Sequence, residues 1–123
     1  FSATTSLSTK TPGLWTGATS TNWHTTTNWD DGVVPTATTN VTIPDVVNKP
    51  VIGANAICNN MTIQNGSQLT INATFSLEVK GNFILNTGSG FTNNGVLKFS
   101  GTDCHLTDNR STKVTLGNIV TDN

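Results

Sequence analysis

The stretches "IQNGSQLTIN" (63–72) and "LNTGSGFTN" (85–93) decide the fold, because they can be aligned with one gap. The alignment repeats a polar turn sequence, "NGS" against "TGSG", as well as apolar positions. Just before these stretches, Met61 and Phe83 occupy equivalent positions of the repeat and define its period. A repeat of about 20 to 50 residues, in units too short to bury their own apolar face, indicates a solenoid.

Short apolar–polar–apolar triplets surround this repeat. Side chains alternate between the two faces of a strand, so the outer residues of a triplet should face the core and the middle residue outward. The triplets are "VTI" (41–43), "MTI" (61–63), "LTI" (69–71), "LEV" (77–79), "FIL" (83–85) and "VLKF" (96–99). Their expected outward residues are Thr42, Thr62, Thr70, Glu78, Ile84 and Leu97. Three threonines do not form the regular T-x-T ranks of an ice-binding solenoid, so ice binding is not expected.

Three short strands fit into one period, which predicts an all-β chain folded as a short right-handed parallel β-helix with three strands per coil. Strands of successive coils would pair about 4.8 Å apart. Apolar residues would stack inside, Met61 over Phe83, Ile63 over Leu85 and Leu69 near Phe91. Glycine and asparagine between the triplets suit corners, because glycine adopts positive φ and asparagine tolerates it. Stacked asparagines can also hydrogen-bond from coil to coil.

A β-sandwich is the alternative fold, since its short strands also recur about every 8 to 12 residues. A sandwich does not require the turn sequence itself to repeat, which favours the solenoid. The expected organisation is one structural domain, with a Trp-rich cap and loops over residues 1–40 and solenoid coils over residues 41–123.

Composition supports an all-β chain and narrows the function. The 123 residues include 24 threonines and 16 asparagines, which favour strands and turns over helix interiors. Charged residues make up 11% of the chain and the net charge is −1, so no basic patch is present to bind nucleic acid. No apolar run approaches the roughly 20 residues of a membrane span. Polarity without charge is typical of secreted or cell-surface β proteins.

All three tryptophans lie in "LWTGATSTNWHTTTNWDDGVVP" (14–35). The ends of a solenoid expose core and unpaired backbone, and therefore need caps. Each tryptophan can bury on the order of 200 Å². We therefore predict a structural cap formed by Trp15, Trp23, Trp29, Val34 and Pro35. The alternative is carbohydrate binding, in which the three tryptophans stack on sugar rings and Asp30 and Asp31 bind hydroxyls.

Catalytic motifs are absent from the sequence: it contains no G-x-S-x-G, no metalloprotease helix and no phosphate-binding loop. His24 and His105 are isolated, and Glu78 is the only glutamate. We expect no catalytic residue, no metal site and no cofactor. The candidate calcium ligands Asp30, Asp31 and Asp45 lack acidic-loop spacing.

Two cysteines in a secreted chain normally suggest a disulfide. The separation of Cys58 and Cys104 along the chain is close to two periods of the repeat. On a regular helix they would share a column two coils apart, at about 9.6 Å, whereas a disulfide needs Cα atoms within roughly 7 Å. The expectation is two free thiols, with Cys58 acting as a small buried hydrophobe.

The segment "LWTGATSTNWHTTTNWDDGVVPTATTNVTIP" (14–44), followed by "CNNMTIQNGSQLTIN" (58–72), resembles a module of large secreted, adhesin-like proteins of Bacteroidetes-type bacteria. In that module a Trp-rich opening precedes β-solenoid repeats. The resemblance implies export, by the type IX route, to the medium or the cell surface, and a role as an adhesive or spacer segment. The expected partners are cell-surface or extracellular polysaccharide, and adjacent coils or domains of the same protein.

Overall fold

The chain folds as a β-solenoid in the computed structural model, which describes residues 9–111 and 116–122. Within that part, one 3-10 turn (Thr26–Asn28) precedes a series of short strands. The strands are β1 (Val41–Ile43), β2 (Val51–Ile52), β3 (Ala56–Cys58), β4 (Met61–Ile63), β5 (Gln68–Ile71), β6 (Ser76–Val79), β7 (Phe83–Leu85), β8 (Gly90–Asn93), β9 (Val96–Phe99), β10 (Leu106–Asp108) and β11 (Asn118–Thr121).

The strands form three parallel sheets that run along the solenoid axis. Their orders are β1-β4-β7-β10, β2-β5-β8 and β3-β6-β9-β11. Each strand therefore pairs with its counterpart one coil earlier or later, and the sheets together make about four turns. Parallel pairing between coils confirms the solenoid. The β-sandwich alternative is wrong, since strands that follow one another along the chain lie in different sheets.

The register confirms the predicted columns and corrects the period. Met61 pairs with Phe83, and β5 and β8 continue the same offset without a gap, so the predicted gap is wrong. The offset is not constant, however. The step from Ile52 to its partner Ile71 is shorter than this offset, and the step from Phe83 to its partner Leu106 is longer. The corners absorb these differences while the inward triplets remain paired.

The apolar members of the strands form one continuous core, as the alternation predicts. The first and last residues of β1, β4 and β7 are buried, and the middle residue of each is partly exposed. The prediction for the last triplet is wrong: Leu97 is fully buried and Lys98 faces outward. Pairing of β9 with β6 places Leu97 beside Leu77, and this sets which face of the strand is inside.

Stacked tight turns connect the sheets at one corner. In "QNGS" the Ser67 N–H donates to the Gln64 carbonyl at 3.0 Å, and in the turn 86–89 the corresponding bond is 3.1 Å. Gly66 and Gly88 occupy the third position of these turns with φ of 86° and 77°. That position of a type II turn requires positive φ, which explains why the glycine repeats with the strands.

Both cysteines are free thiols, as predicted. Cys58 is fully buried in β3, and burial raises the pKa of its thiol to about 12. The predicted shared column is wrong, because the residue two coils beyond Cys58 is Phe99, reached through Val79. Cys104 lies instead in the loop after β9, where its Sγ is 3.4 Å from the carbonyl oxygen of Lys80.

Candidate functional site

The tryptophan segment, residues 14–35, lies on the first regular coil. Leu14 bridges Thr42 of β1 and Asn22 bridges Val51 of β2, both in parallel. The segment then turns back, and Trp29 bridges Trp15 in the antiparallel sense. Backbone groups at the outer edges of β1 and β2 therefore find partners in this segment. A strand edge paired in this way is not open to another chain.

The three indole rings pack against one another inside the protein. Trp29 makes edge-to-face contacts with Trp15 and Trp23, at centroid separations of 5.1 and 4.7 Å. Their exposed fractions are 0% for Trp15 and Trp23 and 2% for Trp29. Buried rings present no face to a sugar. The close spacing of the tryptophans in the sequence therefore reflects their packing.

Hydrogen bonds fix two of these rings. Trp15 Nε1 donates to the carbonyl of Asn48, and Trp29 Nε1 donates to the carbonyl of Trp23, both at 2.7 Å. Trp23 Nε1 is buried and has no partner in the described part of the chain. Of the other predicted cap residues, Pro35 is buried and Val34 packs against the core.

Asn28 is a fully buried amide that holds the tryptophan segment together. Its Oδ1 accepts the backbone N–H groups of Thr19 and Ser20, both at 2.8 Å. Its Nδ2 donates to Ser20 Oγ and to the carbonyl of Asn22. This amide was not singled out from the sequence, since other asparagines lie close to it in the same segment.

The acidic residues proposed for hydroxyl or calcium binding do not converge. Asp30 Oδ2 accepts the Thr11 N–H at 2.8 Å, whereas Asp31 Oδ1 accepts the Val33 N–H at 3.1 Å. Asp45 forms an ion pair with Lys49 in its own loop. Each carboxylate thus stabilises the local backbone, as Asp side chains commonly do in turns.

Other ionisable side chains also interact on the surface, and four of them form one network. In it Glu78 lies 3.6 Å from Lys80 Nζ, and Asp122 lies 3.3 Å from Lys98 Nζ. Glu78 accepts the Ser100 hydroxyl at 2.6 Å and lies 3.9 Å from Lys98 Nζ. His105 Nε2 lies 3.1 Å from Asp103 Oδ1. Over residues 9–111 and 116–122, no three His, Cys, Asp or Glu side chains are grouped as metal ligands would be. No helix in this same part is long and apolar enough to cross a membrane.

A column of three asparagines, here called the asparagine ladder, consists of Asn40, Asn60 and Asn82. Asn40 Oδ1 accepts the backbone N–H of Asn60 at 3.3 Å, and Asn60 Oδ1 accepts that of Asn82 at 2.8 Å. Asn82 Oδ1 then accepts the N–H of His105 at 3.0 Å. Each side chain therefore accepts a hydrogen bond from a backbone N–H of the next coil, as was predicted for stacked asparagines.

A second set of amides lines an open groove at the corner formed by the turns of residues 64–67 and 86–89. This amide groove has a volume of about 570 Å³ and is lined by Gln64, Asn65, Asn86, Thr87 and Asn109. Within this groove, the side-chain amides of Gln64, Asn65, Asn86 and Asn109 make no hydrogen bond to the described part of the chain. Gln64, Asn65, Asn86 and Thr87 lie in predicted corner turns, and no pattern in the sequence predicted the groove.

Comparison with known proteins assigns the chain to a family and leaves its activity open. No curated protein and no solved structure matches the chain. A family described as a domain of unknown function, DUF8693, matches residues 14–98, from the first bridge of the tryptophan segment to β9. That range covers more than half of the chain, and the protein therefore belongs to the DUF8693 family.

Proposed function

We propose that this domain is a non-catalytic β-solenoid segment of a secreted or cell-surface bacterial protein, acting in adhesion or as a structural spacer. The observation that carries the proposal is the complete burial of Trp15 and Trp23 and the near-complete burial of Trp29. The largest side chains of the molecule hold the N-terminal segment on the solenoid. Burial of these side chains supports a structural role in stabilising the solenoid, and it does not support a sugar site in which tryptophan faces stack on the ligand.

The partners of the ionisable side chains support a non-catalytic role. Asp30 and Asp31 each accept a backbone N–H, and Glu78 accepts a serine hydroxyl. A general acid or base must reach the proton that it transfers. Carboxylates that are separated from one another and held by structural donors do not provide that arrangement.

Export is supported by the composition and by the resemblance of residues 14–44 and 58–72 to secreted adhesin-like modules. The test is detection of the domain on intact cells of the bacterium that encodes it. Antibody raised against the purified domain should label intact cells or detect the protein in the culture medium, and added protease should remove the surface signal. Labelling that appears only after cell lysis would contradict the proposal.

The tryptophan segment is proposed to act as the N-terminal cap. Replacing Trp29 by alanine should lower the free energy of unfolding by about 3 to 5 kcal/mol, as for other large buried aromatics. The matched control is Val47→Ala, since Val47 is 96% exposed and its truncation removes no packing. Thermal and urea unfolding measure the difference. An unchanged melting temperature together with lost glycan binding would instead favour a carbohydrate-binding module.

A further inference from the structure

The amide groove contains four side-chain amides that make no hydrogen bond within the described chain, whereas the Thr87 hydroxyl donates to the Asn109 carbonyl at 3.2 Å. Gln64, Asn65, Thr87 and Asn109 are exposed and Asn86 is partly exposed. In the asparagine ladder, by contrast, every Oδ1 accepts a backbone N–H of the next coil. The groove amides keep both a donor and an acceptor available to a ligand.

The chemistry of the groove is neutral. None of the five lining residues carries a charge. The charged residues beside the groove are paired: Asp45, whose carboxylate borders Gly66, lies 2.6 Å from Lys49 Nζ, and Arg110 Nη2 lies 2.8 Å from Asp108 Oδ2. A charged ligand would therefore lose hydration without meeting an opposite charge. A ligand rich in hydroxyl groups, which both donate and accept, matches the amides.

The backbone at this corner is already paired, which argues against an added peptide strand. Gly66 N–H donates to the Gly88 carbonyl, and the N–H groups of Asn86 and Asn109 donate to carbonyls of the preceding coil. Strand addition needs a row of free backbone donors and acceptors. Side-chain amides are the groups that remain for recognition.

We propose that the amide groove binds a neutral polysaccharide chain lying along the solenoid axis. The inference rests on the proposed adhesive role and names the surface and ligand class for it. Lining residues come from three successive coils, at 64–65, 86–87 and 109. Coils are about 4.8 Å apart, and a sugar unit in an extended chain advances by a similar distance. One sugar unit can therefore face each coil.

Successive turns lie in close contact at the groove. A Cβ added at Gly88 would lie 2.0 Å from Asn65 Oδ1, so the side chain of Asn65 rests directly over the next turn. No aromatic ring lines the groove, so hydrogen bonds to hydroxyls are the main source of affinity. Each such bond contributes modestly in water, and we expect weak binding that is strengthened when several units of the polysaccharide are engaged.

Native affinity electrophoresis tests the proposal with the whole chain. Gels contain one neutral polysaccharide each, mixed-linkage β-glucan, galactomannan or dextran, and a further gel contains acidic alginate. The variant Gln64→Ala/Asn86→Ala/Asn109→Ala removes one amide from each coil. The matched control is Asn94→Ala, an exposed amide at another corner. Melting curves verify that all variants are folded.

Retardation of the parent chain by at least one neutral polysaccharide is expected. The triple variant should bind about tenfold or more weakly, since it loses several hydrogen bonds, and Asn94→Ala should bind like the parent. The proposal is overturned if none of the three neutral polysaccharides retards the chain, if only alginate does, or if the triple variant is retarded equally. Such a result would leave the surface location untouched, because labelling of intact cells tests that separately.

Discussion

The asparagine ladder and the amide groove use the same side chain in opposite ways on the same coils. Asn82 Oδ1 accepts the backbone N–H of His105, whereas Asn86, one strand further along, makes no side-chain hydrogen bond to the described protein. A ladder asparagine therefore contributes to folding. A groove asparagine is available for contacts outside the molecule. The difference shows that amide composition alone does not separate structural from binding residues in a solenoid.

Among the structural amides, the fully buried Asn28 should give the largest effect on stability. Asn28→Ala removes the acceptor of the Thr19 and Ser20 N–H groups and both donors to the surrounding loop. We expect the free energy of unfolding to fall by about 3 kcal/mol, because all four hydrogen bonds of a fully buried amide are lost and two partly buried N–H groups lose their acceptor. Urea unfolding measures the change. A loss below about 1 kcal/mol would show that water replaces these bonds.

Replacement of Gly88 by alanine tests how closely the groove turns pack. The positive φ of 77° is unfavourable for alanine, and the new Cβ would collide with Asn65 Oδ1. We expect a loss of about 2 kcal/mol. Gly32→Ala is the matched control, since Gly32 has a similar φ of 73° but no atom within 4 Å of the new Cβ.

The double variant Gly88→Ala/Asn65→Ala then separates the collision from the backbone strain. Its stability should approach that of the Gly32→Ala control, because the colliding oxygen is gone. Equal losses for Gly88→Ala and Gly32→Ala would mean that Asn65 moves aside freely, and the regular spacing of the groove would then be in doubt.

A single step of the ladder should have a smaller effect. Asn60→Ala leaves the Asn82 N–H without its 2.8 Å acceptor at a partly solvated corner. We expect the free energy of unfolding to fall by about 1 kcal/mol. Hydrogen exchange of the Asn82 amide should become faster in the same variant. Unchanged exchange would show that another acceptor replaces the asparagine.

Removal of the groove amides should have the smallest effect on stability. The variant Gln64→Ala/Asn86→Ala/Asn109→Ala breaks no hydrogen bond within the described chain. Its free energy of unfolding should change by less than about 0.5 kcal/mol. Thermal unfolding of the triple variant and of Asn60→Ala, measured under the same conditions, compares the two sets of amides directly. A triple variant less stable than Asn60→Ala would break the distinction between the two sets of amides.

Local patterns in the sequence were sufficient to predict the coils. Period-two alternation identifies inward residues such as Met61 and Ile63, and positive φ explains the repeated glycines. The inward face of "VLKF" was mispredicted because the alternation can be placed with either Leu97 or Lys98 facing outward. Pairing with β6 selects the arrangement in which Lys98 faces outward. The prediction that Cys104 shares a column with Cys58 failed for a related reason. It assumed a constant number of residues per coil, and the coils differ in length.

The two sets of asparagines could not be distinguished from the sequence. Asn82 and Asn86 flank the strand β7 and both lie in polar turn sequences. Their roles depend on whether the Oδ1 reaches a backbone N–H of the next coil, which the detailed path of the corner determines. The tryptophan segment differs, because large aromatic side chains near a solenoid end have a strong energetic reason to be buried.

The variable offset between coils has a consequence for engineering. The step from Ile52 to Ile71 is shorter than the step from Phe83 to Leu106, yet both pairs stay in register, so length changes are confined to the corners. A corner of this kind is suited to the insertion of a foreign peptide. An epitope grafted there would be displayed outside the rod, and repeated grafts on successive coils would form an array with the spacing of neighbouring strands, about 4.8 Å.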